Sequence, residues 1–174
     1  MKNKVIDKEH EKAKRFFQKL YDKSVLKSVS WFLNGIFLFL MMLICLMPIQ
    51  ELLAEEDSPL LIPGVLTMFS FMLVNTWTMP YKQYGENQKS RTMQEILQYY
   101  PVSKKAIWKH KMSELISFLS KVTGVGLILQ ILVSLIACKT LSWMNFAYVI
   151  GCVFCIPVLG ELVFDSIMEV YKED

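Results

Sequence analysis

The chain has 174 residues, 53% hydrophobic and only 20% charged, and its mean hydropathy is positive. That is too apolar for a water-soluble domain of this length. Seven glycines, six prolines and the uncharged run 28–50 exclude a collagenous, low-complexity or disordered chain. The 19 basic and 16 acidic side chains nearly cancel, and their segregation along the chain says more than the net +3.

In chain order, the first expected element is an amphipathic basic helix within residues 1–29. Ile6, Ala13, Phe16, Phe17, Leu20 and Tyr21 share one side, and Lys8, Lys12, Lys14, Arg15, Lys19 and Lys23 surround them. Such a helix lies on a membrane surface, with Phe16, Phe17, Leu20 and Tyr21 as the anchor and the lysines on anionic lipid headgroups. A solvated basic tail is the plainer alternative. Nucleic-acid binding is not expected, because basic runs beside a span commonly only fix topology. A cleaved signal peptide fits poorly, since the polar prelude and the apolar run after it are both too long.

Four spans follow, at about 30–49, 59–80, 114–138 and 142–165, within a membrane domain 30–168. The first and second are uncharged; Pro63 and Pro80 sit near the ends of the second, where a helix tolerates them. The third has only 17 uncharged residues between Lys121 and Lys139, so its helix must start earlier, near Ser113 to Leu115, with Lys121 inside. Pro157 is expected to bend the fourth. Residues 1–30 carry nine Lys/Arg against four Asp/Glu, the first connection carries Glu51, Glu55, Glu56 and Asp57 with no base, and Tyr81 to Met112 carries seven bases against two acids. The positive-inside rule therefore places the N-terminus, the loop 81–113 and the tail 169–174 in the cytoplasm, with the chain in the cell membrane. The fold class expected is all-α: four transmembrane helices, the interfacial helix and one short loop helix.

That loop helix starts at a capping box, Thr92 with Glu95, and ends at Pro101. Met93, Ile96, Leu97 and Tyr100 form one apolar face. Two turns of helix are marginal in water, so this face must dock on the bilayer surface, on the bundle's own end or on another protein. Ser103 can cap the next helix, whose Lys104, Lys105, Lys109 and Lys111 mark the membrane boundary.

The string Glu95, Ile96, Leu97, then Tyr100, Pro101, Val102, Ser103, Lys104, Lys105, with Ile107 and Lys111 following, resembles the segment between the second and third spans of type-2 ABC exporter permeases. The order of features also matches: basic interfacial helix, two spans, this loop, further spans. The resemblance implies that the loop helix is a coupling helix seated in a cleft of a separate ATP-binding cassette subunit. Glu95, Ile96, Leu97, Tyr99, Tyr100 and Pro101 would then form the contact, with Lys104 and Lys105 at its rim. It also implies a second permease copy or a sister permease as partner, and a peptide, lipid or hydrophobic small molecule as cargo. Permeases of this family usually have six spans, and four are read here. No GxxxxGK[ST] string is present, so ATP and magnesium would bind the partner, and no enzymatic activity, cofactor or metal is expected of this chain. The other reading is a non-transporting accessory or immunity-type membrane protein that acts by protein–protein binding.

Among the buried charges, Lys121 on the third span is expected to pair with Glu161 or Asp165 on the fourth, because an isolated charge in hydrocarbon costs ~3 kcal/mol. The alternative has Lys121 snorkelling to the headgroups, with Glu161 facing water. Cys45, Cys138, Cys152 and Cys155 read as apolar packers; His10 and His110 have no second ligand at metal spacing, and no Ser/His/Asp set can be assembled. Asn34, Asn75, Gln130 and Asn145 are expected to join helices by hydrogen bonds.

Overall fold

The computed structural model describes residues 11–15, 25–53, 61–86, 89–92, 103–138 and 141–167. Phe16, Phe17, Leu20 and Tyr21, and the loop helix with Glu95, Ile96, Leu97, Tyr99, Tyr100 and Pro101, lie outside the described residues. Residues 11–15 are helical, with an exposed Arg15–Glu11 pair at 2.9 Å.

Four helical stretches are long and apolar enough to cross a membrane: Ser30–Ile49, Ile62–Met79, Lys104–Ile136 and Trp143–Ile167. This is the pattern of a multi-pass membrane protein. The first two lie within α1 (Val25–Leu53) and α2 (Leu61–Lys82), and the third is all of α3 (Lys104–Ile136). The fourth is α4 (Trp143–Val149), a π-helical turn at Ile150–Cys155 and α5 (Ile156–Ile167).

The loop after α2 contains a hairpin that sequence reading does not anticipate. Strand β1 (Gln83–Glu86) runs antiparallel to β2 (Lys89–Thr92), with Gln83 opposite Thr92 and Glu86 opposite Lys89. Alternation of apolar and polar residues, the usual strand signal, is absent from QYGE and KSRT.

Helix α3 starts at the Ser103 cap that the sequence offers, ten residues before the start near Glu114 expected for the span itself. Ser103, in extended conformation, accepts a hydrogen bond from the Ala106 amide at 3.2 Å and caps the first turn. Past the other end, Cys138 adopts a left-handed conformation (φ 52) and its amide bonds back to the Leu135 carbonyl, which terminates the helix.

In the fourth span the irregularity precedes Pro157. Proline offers no amide to the carbonyl four residues back, and its ring crowds that carbonyl. The chain widens instead: the Ile156 amide bonds to the Gly151 carbonyl, five residues earlier. Where a bend is expected at Pro157 there is this wide turn, with Pro157 buried just beyond it.

Inside, Ile36, Leu40, Ile44 and Met47 of α1 meet Leu66 and Leu73 of α2, Val122 of α3, and Val149 and Val153 of the fourth span in one apolar cluster. Glycine permits two close approaches. A Cβ on Gly126 would stand 2.8 Å from Ile44 Cδ1, and one on Gly160 would run into the Phe71 ring. Thr67 and Ser70 donate to the carbonyls of Pro63 and Leu66 on their own helix, so neither hydroxyl needs a partner across the bundle. A second cluster, Val74, Met112, Leu115 and Leu119 with Trp77, Trp108, Phe118 and Leu162 against it, fills the end where α3 begins. There Trp77 stacks on Phe118 with centroids 5.6 Å apart.

Candidate functional site

Beside that second cluster lies the most polar part of the interior. Residues Lys111, Leu115, Leu119 and Val122 recur on one face of α3, so a helix already formed at Ser103 turns Lys111 inward with the leucines. Opposite stand Glu161 and Asp165 of α5, one turn apart and both inward.

Lys111 Nζ lies 2.7 Å from Glu161 Oε1 and 2.7 Å from both Asp165 oxygens. The Trp108 indole N–H donates to Asp165 Oδ2 at 3.1 Å. Lys111 is wholly buried, Glu161 is 3% exposed and Asp165 7%. One ammonium between two carboxylates leaves a formal surplus of one negative charge, and the Trp108 dipole points its positive end at it.

The ion pair therefore falls on Lys111 and not on Lys121, which is exposed. Both carboxylates named from sequence take part; the lysine differs by ten positions. Counting the third helix from the uncharged core hides Lys111 among four lysines that read as an ordinary basic flank. Followed from the Ser103 cap into the span, the spacing Lys111, Leu115, Leu119, Val122 marks it. Of the other predicted contact residues, Lys104 is half-buried and Lys105 exposed on the first turn of α3.

Energetically the cluster acts as a lock. Moving three charges out of water is costly, and for the two carboxylates only the attraction of Lys111 offsets that cost. Loss of Lys111 leaves two uncompensated carboxylates between α3 and α5, whereas loss of one carboxylate leaves a balanced pair. The arrangement thus ties the start of the third span to the end of the fourth.

At the other end of α3, Thr123, Gln130 and Ser134 are buried on the core face. Gln130 Oε1 and Thr123 Oγ1 have no hydrogen-bond partner among the described residues. Gln130 is therefore not joined through that oxygen as expected, and Asn34 faces outward. All four cysteines are free, Cys152 buried and Cys155 exposed.

Comparison with family models, with curated proteins and with solved structures finds no match to this chain.

Proposed function

We propose that this chain is the membrane-spanning, non-catalytic subunit of an ATP-driven exporter of the type-2 ABC kind. It lies in the cell membrane with both termini and the 81–113 loop in the cytoplasm, and a separate ATPase subunit supplies hydrolysis. One observation carries the reading: α3 runs unbroken for 33 residues from the position just after Tyr100-Pro101-Val102-Ser103. A push received by Ile96, Leu97 and Tyr100 has no joint beyond Ser103 in which to dissipate. Through Lys111 it also reaches Glu161 and Asp165, so the third and fourth spans move as one body. Cargo passes at a surface shared with a second permease copy or sister permease, since the chain's own interior is filled by its apolar cluster.

The same filled interior favours a second reading, a non-transporting accessory protein that works by binding within the membrane. Copurification separates the two. The exporter reading expects a stoichiometric ATPase with the wild type, lost when Leu97→Asp and Tyr100→Asp are combined. Absence of an ATPase, or its retention by the double variant, overturns that reading. A neighbouring reading frame encoding GxxxxGK[ST] is the corresponding genomic expectation.

A further inference from the structure

The outward face of α3 is unlike the rest of the bundle's exterior. Ser113, Glu114, Ser117, Ser120 and Lys121 are all exposed, whereas Leu115, Leu119 and Val122 point inward. At ~100° per residue the five fall in an arc of about 120° and cover ~12 Å of helix. Elsewhere the exterior presents large apolar side chains such as Leu38, Met68, Leu159 and Val163, each more than half exposed. Neither Glu114 nor Lys121 has an ion pair among the described residues. Lys121 lies ~22 Å from Ile136 along the axis, a depth within the ~30 Å of hydrocarbon that α3 crosses.

We propose that this face docks a transmembrane helix of a different polypeptide, one that sets a carboxylate level with Lys121 and packs closely against Ser113, Ser117 and Ser120. Among the described residues, charge argues against a second copy as the occupant. Two copies in one membrane share an orientation, so a two-fold axis along the membrane normal sets Lys121 against Lys121 and Glu114 against Glu114. A second copy docking by another face fares no better: among the side chains described in the four helices, Glu114 is the only exposed acid. Small hydroxyl-bearing residues let two helix backbones approach and hydrogen-bond across the contact, an advantage that lipid tails do not exploit. The inference is independent of the exporter reading, because an accessory protein can use the same face.

The test uses the full-length chain in its native membrane, with Ile116, exposed beside the serine face, replaced by the photo-reactive residue p-benzoyl-phenylalanine. Irradiation is expected to give one protein adduct, identified by mass spectrometry as a different membrane polypeptide with Asp or Glu in a spanning segment. Lys121→Glu should lower adduct yield about ten-fold or more, and exchanging the partner's carboxylate for lysine should restore it. Lys121→Gln, which keeps the side chain long and polar, should give a smaller loss and guards against misfolding of the reversal. An adduct between two differently tagged copies overturns the proposal in favour of a homodimer. Lipid adducts alone overturn it in favour of a lysine reaching for headgroups, and a protein adduct that ignores Lys121→Glu, or is not rescued, removes the charge match.

Discussion

Lys111 and Lys121 stand ten residues apart on α3 and meet opposite surroundings. The first is wholly buried against two carboxylates of α5, while the second is exposed without an ion pair among the described residues. Ten residues at 3.6 per turn leave the two about 80° short of completing three turns, enough to move a side chain from the seam of the bundle to its rim. Between them α3 divides into an inward face of leucine and one lysine and an outward face of serine, glutamate and the other lysine. A lysine's place on the helix wheel, and not its depth in the apolar run, decides whether it holds the bundle together.

Removing the inner charge should have the largest effect. Lys111→Met leaves Glu161 and Asp165 buried without a counter-ion and should destabilise the folded bundle by about 3–5 kcal/mol, read as a lower unfolding temperature in detergent. Adding Glu161→Gln and Asp165→Asn should recover most of the loss. An unchanged melt for Lys111→Met alone would show that the carboxylates are neutral or watered, and the contrast between the two faces would dissolve.

Further along the same inward face, Gln130→Leu exchanges a buried oxygen without a partner for an apolar side chain of similar length. It should be neutral or raise stability by about 1 kcal/mol, since burying an unpaired acceptor costs that much or more. A clear drop in melting temperature would mean that Gln130 holds a bridging water or a neighbouring helix.

On the outward face Lys121→Leu should leave the melt of the isolated chain in detergent unchanged within error, because no group among the described residues is bonded to that ammonium. A loss comparable to that of Lys111→Met would put both lysines in the same class.

Much of this was legible in the residues alone. Long uncharged runs announce spans because the bilayer demands about 20 apolar residues, and Glu161 and Asp165 stand out as acids at the end of such a run. What was hidden depended on helix phase and on local backbone choices. The cap at Ser103 could be recognised, yet reading its helix as one rod with the span required seeing that no breaker intervenes before Ile136. The hairpin at Gln83–Thr92 carries no alternating pattern, and the π turn answers to Pro157 through a backbone bond that no side chain advertises.

That π turn has a bearing on the lysine lock. A ring closed five residues back contains one residue more than an α turn, so everything after Cys155 is rotated by about 100° relative to an uninterrupted helix from Trp143. The surplus residue works as a phase shifter: it sets the azimuth at which Glu161 and Asp165 emerge. Forcing the unchanged sequence of Ile150–Cys155 into regular winding would swing both acids away from Lys111 toward the lipid, whereas deleting one residue from that stretch would let it wind regularly with both acids still facing Lys111.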